Sequence, residues 1–372
     1  MRIVLTGGGT GGHIYPALAV ARQVRKMEPD SQMLYIGSDR GLERDLAAKE
    51  QIPFESIEIT GFRRSLSWEN VRTIVRFFKG VRRSKRLLKQ YRPDIVIGTG
   101  GYVCGPVVYA AVKLGIPTVL HEQNVIPGLT NAFLSRYADL VAVSLTQSEN
   151  NFPKARRVLY TGNPRASEVV TADAVRGRES LGMRLGKDEK LVVIVGGSRG
   201  AKAINDSMVE MADIAAAEGA GLRFLFITGE PYYEDTVTRI KDVLDPLPER
   251  IRIVPYIHNM PEVLAATSII VSRSGASSLA EITALGLPSI LIPSPNVTNN
   301  HQEANARWLE REGAATVILE PSLSGRSLFT AIRRIADDPI RYEHMSLQAK
   351  RLGKPDSVET IYRAMRQLID ER

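Results

Sequence analysis

Three glycine-rich stretches, each directly after an apolar run, are the residues of this chain best placed to do chemistry. Arg2-Ile3-Val4-Leu5 runs into TGGGTGGH (Thr6 to His13), Ile95-Val96-Ile97 into GTGGYVCGP (Gly98 to Pro106), and Leu191 to Val195 into GGSRGA (Gly196 to Ala201). Glycine lets the backbone take positive φ and come close to a ligand. The helix expected after each loop offers unpaired N–H groups and a partial positive charge, which suits phosphate. One such loop says little; three in one chain point to a phosphorylated ligand. The first contains G-x-G-x-x-G (Gly7, Gly9, Gly12), the pattern of dinucleotide folds. The acidic residue expected about twenty positions later is poorly supplied, Asp39 being late, and His13 is a titratable group a nicotinamide site does not need. A dinucleotide cofactor is therefore disfavoured.

Such loops need strands to hold them. Apolar strand patterns alternate with helical ones along the whole chain, which indicates parallel sheets of βαβ units and an α/β fold. Strands are expected at Arg2–Leu5, Gln32–Ile36, Ile95–Gly98, Thr118–His121, Leu140–Val143 and Val158–Thr161, and then at Leu191–Val195, Arg223–Thr228, Ile251–Pro255, Ile269–Ser272, Ser289–Pro293 and Thr316–Leu319. Between the two sets GNPRASEVV (Gly162 to Val170) reads as a hinge, because Asn-Pro disfavours continued helix or sheet. The expected domains are residues 1–162 and 163–355. The halves also resemble each other: Gly98 to Asn124 and Ser272 to Asn296 each read strand, glycine turn, helix, L-G-[IL]-P and strand. Two Rossmann-like domains facing each other across a cleft explain this better than chance likeness, since their loops would then serve one site. Two helices, near Ser324–Ala336 and Asp356–Ile369, close the chain. Asp356 is the expected N-cap of the second, with Glu359 completing a capping pair, and residues 356–372 are expected to pack back on the first domain.

At 372 residues the chain is long for one core, and its lone cysteine, Cys104, excludes an internal disulfide. No signal-peptide pattern and no apolar run of about 18 residues is present, so a soluble cytoplasmic protein is expected. The net charge of +8 is concentrated: between Gly61 and Arg92 lie eleven Lys or Arg residues and one acid, Glu69. Such a surface meets something anionic, nucleic acid or lipid. Read as a helix, Leu66 to Lys89 puts Val71, Ile74, Val75, Phe77, Phe78, Val81 and Leu88 on one side, and Arg72, Arg76, Lys79, Arg83 and Arg86 on an adjoining one. That is the pattern of a helix lying in a membrane interface, with Gly80 a breaking point. The competing reading makes the apolar side ordinary core.

The ordered set GGTGGHIYPALA, GTGGYVCGP, LHEQN, TGNPR, GGSRGA, RSGASSLAE and NHQEANA, spanning Gly8 to about Ala306, resembles the bacterial peptidoglycan N-acetylglucosaminyltransferases, the MurG family. The resemblance implies a GT-B type glycosyltransferase that moves N-acetylglucosamine from UDP-GlcNAc to the C4 hydroxyl of undecaprenyl-diphosphate-linked muramyl-pentapeptide with inversion. It also implies peripheral attachment to the cytoplasmic face of an anionic membrane, and no cofactor. Metal-free transfer fits the residues as well. The chain has no Asp-x-Asp tripeptide to hold a metal, and a helix N-terminus after GGSRGA can stabilise the diphosphate leaving group with fixed dipoles. Ser198 would add a hydroxyl there, and Arg199 is either a phosphate contact or solvated.

By the same resemblance, Glu281 accepts from both ribose hydroxyls, the backbone of Ile257 reads uracil, Arg165 lies near the nucleotide, Ser277 and Ser278 approach the phosphates, and Ala276 binds substrate. Asn124 and Gln302 read the sugar. Thr10, Gly11 and Gly12 contact substrate, and Gly100, Gly101 and Tyr102 form an acceptor loop. Of five histidines, His13 is the expected general base, since a helix N-terminus disfavours its cation. Its alternative role is hydrogen bonding to loop or phosphate. Glu122 is the rival base, or holds loops together. Other readings keep the fold and change the substrate, as in a diacylglycerol glycosyltransferase or a UDP-GlcNAc 2-epimerase. A nucleic-acid binder lacks any accompanying RNA-binding signature.

Overall fold

The structure, a computed structural model, describes residues 1–39, 41–60, 68–197 and 199–372. It divides into two compact units: residues 1–165 with 356–372, and residues 166–355.

The first unit is built on strands β1 (Arg2–Thr6), β2 (Gln32–Ser38), β3 (Phe54–Ile57), β4 (Ile95–Gly98), β5 (Thr118–Glu122), β6 (Leu140–Val143) and β7 (Val158–Tyr160). All pair in parallel, in the order β3-β2-β1-β4-β5-β6-β7. The strands are apolar on both faces because both are covered by helices. Ile3 and Leu5 face a core shared with the helix Gly11–Met27, while Val4 faces the core under the helix Cys104–Lys113. β3 escapes sequence reading: FESI is half polar and only partly buried, as an edge strand can be.

The helix Ser357–Asp370 lays Ile361, Ala364, Met365 and Leu368 into the first unit's core. Asp356 occupies the N-cap position but makes no side-chain capping hydrogen bond. Its carboxylate accepts from the Thr360 hydroxyl instead, and Glu359 pairs with Arg363, so the expected capping pair does not form.

The basic segment forms one helix, Trp68–Tyr91, and Gly80 does not break it. A side chain at Gly80 would press on Pro106, so the small residue lets two helices approach closely. Residues 61–67 of that segment lie outside the described residues. The apolar side divides. Val81 and Leu88 are buried and Phe77 packs partly on the core, whereas Ile74, Val75 and Phe78 are 45%, 50% and 63% exposed. The cationic side divides too: Arg76 and Arg83 are tied to Glu58 and Glu55, while Arg72, Lys79 and Arg86 are exposed without a carboxylate partner among the described residues.

The second unit holds β8 (Lys190–Val195), β9 (Leu222–Ile227), β10 (Ile251–Val254), β11 (Ile269–Ser272), β12 (Ser289–Leu291) and β13 (Ala315–Val317), parallel in the order β10-β9-β8-β11-β12-β13. Apart from the extra β7, this repeats the first sheet's order. A helix absent from the sequence reading, Pro339–Leu352, lies between the two expected closing helices; Asp338 caps it and Pro339 opens it. Among the described residues no helix is long and apolar enough to cross a membrane.

Candidate active site

In each sheet the strand order reverses at one place, between β1 and β4 and between β8 and β11. Ligands of open α/β sheets bind at such points, beyond the carboxyl ends of the strands. The glycine loops follow these strands. In the first unit two of them are knit together. The Gly8 N–H donates to the Gly100 carbonyl at 3.2 Å, and a Cβ on Gly101, whose φ is +82°, would run into the Gly8 backbone. The Thr99 hydroxyl lies 2.6 Å from the His13 carbonyl and 3.3 Å from that of Thr6, both acceptors. The buried Cys104 thiol bonds to the Thr6 and Gly100 carbonyls, and burial pushes its pKa up to about 12, so it is a structural thiol.

His13 is the third residue of the helix Gly11–Met27 and is partly exposed. Its Nδ1 lies 3.0 Å from the Gly8 carbonyl oxygen, with the Thr10 hydroxyl 3.3 Å from the same nitrogen. A carbonyl can only accept, so the geometry assigns the proton of the neutral ring to Nδ1 and the lone pair to Nε2. Gly100 lies against the ring on the Nε2 side, and the Tyr102 ring sits against Gly9. The fold thus gathers Thr10, Gly11, Gly12, His13, Gly100, Gly101 and Tyr102 into one cluster.

HEQN leaves β5 beside them. Glu122 is 2% exposed and its carboxylate is occupied. Oε1 accepts from the Asn124 N–H at 3.0 Å, and Oε2 from the Gly128 N–H at 3.1 Å and the Asn131 amide at 2.9 Å. Three hydrogen bonds to the segment that follows β5 are what a loop-holding carboxylate would make. Asn124, the expected sugar contact, is partly exposed at the end of this loop. His121 is fully buried between Gly162, Ser144 and Gln123, and burial lowers its pKa to about 4. Gln123 donates to the Thr99 carbonyl at 2.6 Å, linking HEQN to the residue that holds His13. Arg165, the last residue of the first unit before Ala166, places its guanidinium 5.4 Å from the centre of the Tyr15 ring.

In the second unit GGSRGA precedes the helix Lys202–Glu218. Ser198 lies outside the described residues; Arg199 is exposed. After β11, Ala276, Ser277 and Ser278 are the first three residues of the helix Ala276–Leu285, so their backbone N–H groups have no partner within the helix. Glu281 follows at i+4 from Ser277 and i+3 from Ser278, on the same helix face, and is 8% exposed. The Gln302 Oε1 accepts from the Ser294 N–H at 2.9 Å, and its own carbonyl accepts from the Ser274 hydroxyl at 2.8 Å. What Gln302 offers a ligand is its amide NH2 and the second lone pair of Oε1. Ile257 is half-buried, between exposed Tyr256 and His258 whose rings meet edge to face.

Sequence reasoning missed the residues that hold these loops. Glu43 accepts from Gly9, Tyr35 donates to the Gly7 carbonyl, Asn131 braces Glu122, and Arg273 pairs with Glu320 behind the Ser274 turn. All but Arg273, the first residue of RSGASSLAE, stand outside the glycine motifs, and no local pattern marks their partners.

Two parallel sheets of like strand order, each with glycine loops at its switch point, define a two-domain α/β protein suited to a phosphorylated, nucleotide-like ligand. The chain belongs to glycosyltransferase family 28, whose N-terminal domain matches residues 3–143 and whose C-terminal domain matches residues 191–361. It is 51% identical, over 99% of its length and all of theirs, to a UDP-N-acetylglucosamine–N-acetylmuramyl-(pentapeptide) pyrophosphoryl-undecaprenol N-acetylglucosamine transferase of Bacillus cytotoxicus. The similarly named enzyme of Bacillus licheniformis is also 51% identical, over 99% of each chain. Among solved structures, Acinetobacter baumannii MurG is similar with a TM-score of 0.78 and 28% identity, over 98% of this chain and 99% of that one. A UDP-GlcNAc 2-epimerase from Neisseria meningitidis shares the fold at a TM-score of 0.70 and 15% identity, covering 99% of this chain and 100% of that one.

Proposed function

We propose that this protein is an inverting, metal-independent N-acetylglucosaminyltransferase that moves the sugar from UDP-GlcNAc to the C4 hydroxyl of undecaprenyl-diphosphate-linked N-acetylmuramyl-pentapeptide, converting lipid I to lipid II in peptidoglycan synthesis. Full-length 51% identity to relatives bearing that name supports the substrates. The observation that carries the chemistry is the His13 ring, tied by Nδ1 to the Gly8 carbonyl. Its Nε2 takes the proton of the C4 hydroxyl as that oxygen attacks C1 from the face opposite UDP. The C1–O bond to the diphosphate breaks, and the configuration inverts. The negative charge on departing UDP is met by the backbone N–H groups that open the helices at Lys202 and Ala276. Glu281 accepts from the ribose hydroxyls, the Ile257 backbone reads uracil, Gln302 and Asn124 bind the sugar, and Arg165 lies near the nucleotide. Glu122 holds the Asn124 loop in shape.

The acceptor is lipid-bound, and a membrane-facing surface on the first unit suits it. Exposed Ile74 and Val75 share their helix with exposed Phe78. The Phe78 ring starts a run of ring contacts through Phe77 and Tyr109 to Phe133, with Lys113 over the Tyr109 ring and Arg136 over the Phe133 ring. Cations around an apolar patch suit an anionic cytoplasmic leaflet.

The decisive experiment supplies UDP-GlcNAc with and without a lipid-diphosphate muramyl acceptor. UDP release only with the acceptor, together with a β-linked disaccharide product, supports the proposal; isomerised UDP-sugar without acceptor identifies an epimerase. On the donor side, Glu281→Ala should weaken UDP binding by about 1–3 kcal/mol in calorimetry, and unchanged affinity in a folded variant removes Glu281 from the site.

A further inference from the structure

The peptide between Gly8 and Gly9 is held from both sides. Its carbonyl oxygen faces His13 Nδ1 at 3.0 Å, and its N–H donates to Glu43 Oε1 at 3.0 Å. Glu43 is wholly buried, and Oε1 also accepts from the Ser38 hydroxyl at 3.1 Å. The slot it occupies is closed by two residues without side chains, since a Cβ on Gly8 or Gly41 would overlap the carboxylate. Oε2 has no hydrogen-bond partner among the described residues, so burying this acid costs free energy.

We propose that Glu43 is a positioning residue for transfer, acting on His13 through the Gly8–Gly9 peptide. A trans peptide is planar, so its N–H and C=O point in opposite directions and anchoring one fixes the other. The carboxylate therefore sets the plane of this peptide and with it the direction of the Gly8 carbonyl. A carboxylate on the N–H end also draws charge onto the oxygen, which strengthens its bond to Nδ1–H. The result is a carboxylate–peptide–imidazole line in which the peptide does what a directly bonded acid does beside other basic histidines. Glycine at position 8 leaves room for the carboxylate, which any Cβ there would overlap. Tyr35 braces the neighbouring peptide by donating to the Gly7 carbonyl at 2.6 Å.

This inference rests on His13 being the base, and the test separates the two. In the unsubstituted protein, ring nitrogen NMR of His13 should show the neutral ring protonated on Nδ1; an Nε2–H ring overturns the proposal without any variant. Glu43→Leu, which removes the acceptor, should lower kcat by about 100-fold, the scale of a small misplacement of a reacting group, with KM for UDP-GlcNAc within about twofold. It should also move the His13 ring toward a tautomer mixture. Glu43→Gln keeps an amide oxygen for the Gly9 N–H and should recover most of the lost kcat. A folded Glu43→Leu protein with unchanged kcat and unchanged His13 tautomer makes Glu43 merely structural. Full activity in His13→Ala would remove the base and this proposal with it, whereas unchanged kcat in Glu43→Leu beside an inactive His13→Ala would overturn the proposal alone.

Discussion

A lone histidine after a glycine loop becomes informative when its ring is anchored. With Nδ1 committed to the Gly8 carbonyl, the base of the neutral ring is Nε2. Since a positioned base contributes about 10²–10⁴-fold, His13→Ala should lower kcat by that factor and leave UDP affinity near normal; steady-state kinetics with calorimetry checks both. His121 behaves in the opposite way. It is buried as a neutral ring accepting from Gln123, and burial lowers its pKa from the usual 6.5 to about 4. The unfolded chain therefore binds this proton first as pH falls. The stability His121 contributes is intact above about pH 6.5 and is lost progressively down to about pH 4. Thermal melts between pH 7 and 4 should show the advantage of wild type over His121→Gln shrinking as pH falls; a constant difference would mean the ring is not held neutral.

At the scale of elements, the helix Trp68–Tyr91 serves two purposes with one sequence. Val81 and Leu88 anchor it to the core, while Ile74, Val75 and Phe78 remain outside. Arg76 and Arg83 are partly spent on Glu58 and Glu55, so exposed Arg72, Lys79 and Arg86 carry more of any attraction to lipid. Binding to vesicles should rise with anionic lipid content and fall with salt, about 1 kcal/mol being available per basic residue at the surface. Phe78→Ser should lower partitioning about tenfold, as loss of a buried aromatic side chain would, without changing the melting temperature. Equal binding to neutral and anionic vesicles, or none to either, would refute the docking surface.

At the scale of the molecule, the first unit closes only with the last residues of the chain. Ile361, Met365 and Leu368 are 1%, 0% and 7% exposed, and the Tyr362 hydroxyl reaches Glu28 at 2.9 Å. Removing residues 356–372 should destabilise that unit by roughly 5 kcal/mol, from the burial of three large side chains. The measurement is chemical denaturation of the truncated protein; a transition unchanged from the full chain would show that the helix contributes little.

The alternation of apolar runs with helices, the glycine motifs and the family resemblance were legible from residues alone. Strand burial on two faces and positive backbone φ leave direct marks on composition. β3 and the helix Pro339–Leu352 were not legible, because an edge strand needs little apolar pattern and this helix buries only Met345 and Ala349, too few positions to show a period. That Gly80 makes room for Pro106, a residue of another element, could be seen only in the folded chain. The surroundings of Glu122 and Glu43 were decided by tertiary structure too. An isolated carboxylate reads the same whether it faces solvent, substrate or the N–H groups of a loop. Only the packed fold brings Gly128 and Asn131 to one acid and the Gly8–Gly9 peptide to the other, and hydrogen bonds made across such sequence distances leave no local signature.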